Sequence, residues 1–235
     1  MSDPRIAAMN AEVWLEDTQD QQDLEIGGPF AAGFVSRRLN ALRPGLILDR
    51  DGVLVEEVNY LSRVEDVKIE PGIPELLRWA RSAGLPVGIA TNQAGIARGM
   101  FDWPSYRKVM EKIRADLESA GCHVDSVVAC GFHPEHTPGY SDDHAYWRKP
   151  GPGMLHVLAD KLSIDLHRSW LVGDNVSDIL AARAAGMAGA IHVNTGHGRR
   201  YRDEALKSAT ATFRVIPCED ANETLRALQQ VISTA

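Results

Sequence analysis

The chain of 235 residues is 44% apolar and 24% charged. That balance suits one globular domain with an ordinary core, or one domain with a small appendage, and excludes disordered and fibrous classes. A formal charge of -7, without a long block of Lys or Arg, argues against a generic grip on nucleic acid or on an anionic membrane.

The chain opens on MSDPRIAAMN, which has no basic region followed by an apolar core, and no apolar stretch reaches the roughly 18 residues of a membrane span. A cytoplasmic location is expected. Residues 1 to 43 are acidic and Gln-rich, then basic, with scattered apolar residues such as Trp14 and Phe30. They read as an N-terminal extension that adds no core of its own, leaving 44–235 as the main domain. The cysteines Cys122, Cys130 and Cys218 lack CxxC spacing and read as reduced thiols, mostly core filler.

From Leu46 short apolar runs alternate with helical patterns: LILD, IPELLRWARSAG, PVGIATN, WPSYRKVMEKIRADLESAG, VDSVVAC, PGMLHVLADKL, SWLVGD, VSDILAARAAG and AGAIHVNTG. Val109, Ile113 and Leu117 recur at helical spacing, and several of these patterns end in Gly, as a C-terminal cap does. The strand candidates are apolar throughout, as strands covered on both faces are. This β-α order predicts a Rossmann-like three-layer α/β/α sandwich with a mainly parallel sheet. Residues 130 to 153, rich in Pro, Gly and His, read as a long loop, and such loops are usually functional.

In an open parallel sheet ligands bind beyond the carboxyl ends of the strands. The first strand ends on Asp49 and Asp51, the second on Thr91, Asn92 and Gln93, and a later one on Asp174 with Asp178 one turn beyond. The long loop ends on Arg148 and Lys149. Singly, each has a plain structural reading: a turn before Gly52, a helix cap at Thr91-Asn92, a solvated Lys149, and a cap with a helix-start charge at Asp174 and Asp178. Together they bring carboxylates, a hydroxyl and a cation to one rim. Carboxylates at that density need a cation, and oxygen ligands without clustered Cys favour a hard ion, most simply Mg²⁺. With Thr91 and Lys149 left to hold oxygens, the pattern describes a phosphate site, where Asp49 could attack phosphorus and Asp51 could move the proton.

At these residues the sequence resembles the haloacid dehalogenase (HAD) superfamily of phosphotransferases: DRDGVL, Thr91, Lys149 and GDNVSD match its four motifs in order. More narrowly, LDRDG, TNQAGIARG and RKPGPGML are similar to the D-glycero-D-manno-heptose 1,7-bisphosphate phosphatases and the related histidinol-phosphate phosphatases. The resemblance covers about residues 45 to 200 and by extension reaches 232. It implies a Mg²⁺-dependent phosphomonoester hydrolase working through an aspartyl-phosphate. Asp49 would be the nucleophile and Asp51 the acid/base, with Thr91 and Lys149 on the phosphoryl group. Mg²⁺ would rest on Asp49, the backbone oxygen of Asp51, and Asp174, with Asp178 as a supporting acid. Arg148 would recognise the substrate, and Asn92, Gln93 and the segment holding Glu57, Asn59 and Tyr60 would line the sugar site. Asn175 stands where the heptose enzymes often carry Lys.

Only about 40 residues separate Asp51 from Thr91, too few for a separate cap domain. Residues 131–147 are the expected specificity loop. The related enzymes commonly hold this loop with a structural zinc on Cys-x-His and Cys-x-Cys. Here those places read Cys130-Gly131-Phe132 and Ala145-Tyr146-Trp147, so that zinc is expected to be absent, with Tyr140, Tyr146 and Trp147 packing the loop instead. A different zinc site from Cys130, His133, His136 and His144 stays open. So does a contribution of positive charge from His197, Arg199 and Arg200. The expected partner is a small phosphorylated metabolite, most closely a heptose bisphosphate, in a monomer or small homo-oligomer. Histidinol phosphate or another small metabolite is the nearest alternative. A phospho-accepting receiver or binding module is the alternative of another class.

Overall fold

A computed structural model describes residues 13–17 and 42–232. The strands in chain order are β1 (Val13–Asp17), β2 (Leu46–Leu48), β3 (Val87–Asn92), β4 (Ser126–Cys130), β5 (Trp170–Gly173), β6 (Gly189–Val193) and β7 (Arg214–Cys218). They form one sheet in the order β1-β4-β3-β2-β5-β6-β7. β2 to β7 run parallel, with β2 central: Leu46 pairs with Val87 on one side and Trp170 on the other. From β2 the chain winds outward through β3 and β4, then returns to β5 and winds the other way. β2 and β5 therefore flank the point where the winding reverses, the crevice in which such sheets bind ligands.

The pleat divides the core between two faces. Leu46 and Leu48 join Ile89 and Val127 under α1 (Ile73–Ser82), α3 (Trp103–Ser119) and α8 (Ala221–Ile232). Ile47 turns the opposite way, joining Ala90, Val128 and Leu171 under α5 (Gly153–Leu162), α6 (Val176–Ala184) and α7 (Gly198–Leu206). Strands covered on both faces have no need of polar alternation, which is why the text of β2 to β5 is continuously apolar. α3 buries Val109, Ile113 and Leu117 as its periodicity predicts, each stabilising by about 2 kcal/mol. Asp102 starts it by accepting from the Ser105 N–H at 2.9 Å.

Three findings differ from the sequence reading. Within the stretch read as an extension, residues 13–17 form β1, which pairs antiparallel with β4 from Val13 opposite Cys130 to Asp17 opposite Ser126; residues 1–12 and 18–41 lie outside the described residues. The long loop contains a helix, α4 (Asp142–Trp147), begun by a capping box of Ser141 and His144. Gly198 to Leu206, which take in Arg199 and Arg200 and which no pattern in the sequence marked as an element, are the helix α7. The short helix α2 (Ala94–Ala97) follows β3. No domain is inserted between Asp51 and Thr91, and among the described residues no helix is long and apolar enough to cross a membrane.

Candidate active site

Asp49 is the first residue beyond β2, fixed by donation of its N–H to Val172 O at 2.9 Å. The chain then turns at Gly52, where φ is +77° and a Cβ would lie 2.6 Å from Asp174 Oδ2. Gly196 (φ +52°) faces the same carboxylate, and a Cβ there would overlap it. Both positions need glycine because its freedom at positive φ and its missing side chain leave room for Asp174. Asp174 follows β5, is 2% exposed, and accepts from the His197 N–H at 2.6 Å. Asn175 then caps α6: its Oδ1 accepts from Ser177 N–H at 3.1 Å, while its own N–H donates to Asp178 Oδ2 at 3.0 Å.

Lys149 arrives from the opposite side and is buried. Its Nζ lies 2.9 Å from Asp49 Oδ1 and donates to Ala90 O at 2.7 Å. It also stands 2.6 Å from Asp178 Oδ1, an ion pair by distance that lacks hydrogen-bond geometry. Asn92 secures the Lys149 backbone from β3, donating to its O at 3.0 Å and accepting from its N–H at 3.1 Å. Burial opposes the charge on Lys149, but Asp178 and Asp49 more than offset it and hold its pKa above the ordinary value.

Carboxylate oxygens of Asp49, Asp174 and Asp178 lie within 4.8 Å of one another. Burial pushes Asp49 up to about 7; Lys149 opposes this, while Asp178 and Asp51 add to it. Burial, then Asp178 and Asp49, push Asp174 up to about 8. Three enclosed carboxylates facing one ammonium leave a deficit of positive charge, and an all-oxygen donor set with that deficit fits a hard divalent cation. The residues present therefore fit Mg²⁺.

The residues expected to carry catalysis, metal and substrate line one cleft of about 400 Å³: the acids Asp49, Asp51, Asp174 and Asp178; Thr91, Asn92 and Gln93; Arg148 and Lys149; Glu57, Asn59 and Tyr60; and Asn175. His197 lines it as well, whereas Arg199 and Arg200 do not. Asn59 (φ 44°) and Tyr60 (φ 66°) are consecutive left-handed residues that are not glycine, and Glu57 Oε1 accepts from Asn59 N–H at 2.7 Å. Backbone strain of this kind persists only where surrounding structure fixes it, and it concentrates at ligand sites. Arg148 is partly enclosed and donates to Phe132 O at 3.0 Å; burial lowers its pKa from the ordinary value.

The loop over this rim is packed by rings. Phe132 meets His144 edge-on at 4.5 Å, Tyr140 stacks on His144 at 5.6 Å, and Tyr146 meets Trp147 edge-on at 5.1 Å. Phe132 and Trp147 join buried Cys130 in the core of that face. The alternative histidine-cysteine cluster does not assemble among the described residues: His144 is tied to Ser141, and the group that gathers is His133, Glu135 and His136. In His133, Nε2 lies 3.2 Å from Arg98 Nη2 and Nδ1 accepts from the Glu135 N–H at 3.2 Å, so both ring nitrogens face N–H donors.

Sequence reasoning missed Arg50. Its side chain is 1% exposed, forks onto both oxygens of Asp51, and touches Gln93. The residue stands in plain view between the two aspartates, but nothing in its spacing says which way it points. The backbone contribution of His197 was equally hidden, since an N–H has no sequence signature.

A family model described as HAD-hydrolase-like matches residues 146–217. The chain is 40% identical over 147 residues to the D-glycero-beta-D-manno-heptose-1,7-bisphosphate 7-phosphatase of Rhodopseudomonas palustris, covering 63% of this chain and 82% of that protein. The structure of D,D-heptose 1,7-bisphosphate phosphatase from B. bronchiseptica, complexed with magnesium and phosphate, is similar with a TM-score of 0.67 and 31% identity over 80% of this chain and 99% of that one. A HAD-like structure from Mesorhizobium loti has a TM-score of 0.74 and 31% identity, covering 96% of this chain and 95% of its own.

Proposed function

The chain belongs to the haloacid dehalogenase-like phosphatases, and from that membership we propose that it removes the 7-phosphate of a D-glycero-D-manno-heptose 1,7-bisphosphate, or of a closely related sugar phosphate, through an aspartyl-phosphate on Asp49. The convergence of Asp49, Asp174, Asp178 and Lys149 at the switch point of the sheet carries this reading. Asp49, Asp174 and the backbone oxygen of Asp51 would hold Mg²⁺, which would supply neutralising charge to the phosphoryl oxygens.

Lys149 and Thr91 bind those oxygens, and Asp178 keeps Lys149 in place. An oxygen of Asp49 attacks phosphorus as the bond to the sugar oxygen breaks, and Asp51 gives that leaving oxygen its proton. Asp51, now a carboxylate, takes a proton from water. The water oxygen bonds to phosphorus, the bond to Asp49 breaks, and inorganic phosphate leaves with the carboxylate regenerated. Arg148 and the segment from Glu57 to Tyr60 bind the sugar beyond the reacting phosphate. The related enzymes named for heptose bisphosphates support this substrate class.

The test is phosphate release from both heptose bisphosphate anomers, histidinol phosphate and common sugar phosphates, with Mg²⁺ and then with EDTA. EDTA-sensitive turnover that prefers a heptose bisphosphate is expected. Preference for histidinol phosphate would overturn the substrate, and turnover unaffected by EDTA would overturn the metal.

A further inference from the structure

Arg50, inside the DRDG stretch, has no part in the proposed reaction, yet among the described residues it is one of the most enclosed charged groups. Its Nε lies 3.0 and 3.1 Å from the two oxygens of Asp51, and its Nη2 lies 2.8 and 2.9 Å from the same pair. Gln93 closes a ring around the contact: its Nε2 donates to Asp51 Oδ2 at 2.9 Å and its Oε1 accepts from Arg50 Nη2 at 3.2 Å. The same Nε2 reaches Thr91 Oγ1 at 2.8 Å. On its other side the guanidinium lies over the Tyr106 ring, 5.2 Å from the centroid, with Nη1 3.9 Å from Met110 Sδ.

The four near-equal distances place each N–H between both oxygens, and a carboxylate held this way by a guanidinium that two residues of α3 fix cannot rotate freely. Burying a guanidinium against one carboxylate adds little net stability over an apolar pair of the same shape. What the arrangement does supply is direction. We propose that Arg50 and Gln93 are positioning residues for proton transfer: they aim the Asp51 carboxylate at the leaving oxygen and tie its position to Thr91 on the phosphoryl side. The inference rests on the role proposed above for Asp51.

A purely structural role would lower turnover of every substrate alike. A role in aiming the proton donor depends on how much the leaving group needs the proton. p-Nitrophenyl phosphate releases a stable anion, whereas phenyl phosphate, of nearly the same shape, leans more on the donor. The experiment compares kcat/KM for these two substrates in the full chain with Mg²⁺. Arg50→Met is expected to lose about tenfold more on phenyl phosphate than on p-nitrophenyl phosphate, a fraction of what a general acid contributes. Arg50→Lys should recover part of the difference, and Gln93→Leu should show a smaller loss of the same kind. Placed in an Asp51→Asn background, none of these changes should alter the ratio.

Equal losses on both substrates, or a changed ratio that survives Asp51→Asn, would overturn the inference. If Asp51→Asn itself shows no dependence on the leaving group, the reading of Asp51 fails and this inference fails with it. If Asp51→Asn shows the dependence and the Arg50 and Gln93 variants do not, this inference alone fails. Thermal melts accompany each variant, and Gln93→Leu, which removes no buried charge, carries the test if Arg50→Met does not fold.

Discussion

Lys149 gives the residue scale its clearest case. Its ammonium is enclosed between Asp49 and Asp178 and held in place through Ala90 O and Asn92. Removing one partner of a buried ion pair leaves the remaining charge unsolvated and uncompensated, which costs about 3 kcal/mol or more. Lys149→Met should therefore lower metal-free stability by about that amount in urea titrations at neutral pH, and added Mg²⁺ should restore part of it. A change within about 0.5 kcal/mol would mean that the side chain is solvated, as its place before Pro150 alone would suggest. That solvated reading was reasonable from sequence because a lone Lys carries no sign of burial; its ion partners lie more than twenty residues away in the chain. Arg50 shows the other limit: its type and position are plain, yet only the fold reveals that it grips its neighbour.

At the scale of elements, most of the site is a consequence of where strands stop. Leu48 and Gly173 end neighbouring parallel strands, so Asp49 and Asp174 emerge side by side. The capping box that starts α6 uses Asp178, which ties a helix signal to an acid of the site. These acids were legible because parallel strands written as unbroken apolar text end sharply. α4 was not, because its capping box uses His144 where Glu or Gln is usual. β7 was also hidden, since it is an edge strand with an exposed start and a Pro in its text. The glycines facing Asp174 are as constrained as the acids. Gly196→Ala combines a left-handed backbone with a Cβ that overlaps Asp174, so it should destabilise the fold by more than about 1 kcal/mol and raise the Mg²⁺ concentration needed for half-maximal activity. Unchanged Mg²⁺ dependence would remove the glycine from the account of the site.

For the whole molecule, the acids couple stability to pH. The folded, metal-free protein binds protons on Asp49 and Asp174 that the unfolded chain has already released above the ordinary carboxylate range. Their contribution is fully present below about 4 and is lost as pH rises through about 7 and 8. Mg²⁺ competes with those protons, so it should raise the melting temperature more at about pH 8 than at about pH 5. An equal shift at both would show that the cation is not bound by these carboxylates. The fold class, by contrast, was set by repetition. Apolar runs alternating with amphipathic helices leave few ways to cover a sheet on both sides, whereas β1 gave no comparable signal in an acidic, Gln-rich stretch.

Transfer of the phosphoryl group to Asp49 is the step on which the proposed reaction turns. Its most direct test is acid quench of the Asp51→Asn variant during turnover of p-nitrophenyl phosphate with Mg²⁺, followed by peptide mass spectrometry. Slowed hydrolysis of the intermediate should leave a phosphoryl group on the peptide containing Asp49, and Asp49→Asn should show neither the adduct nor turnover. Turnover without any phosphoryl group on Asp49, or an Asp49→Asn variant as active as the parent, would contradict the account.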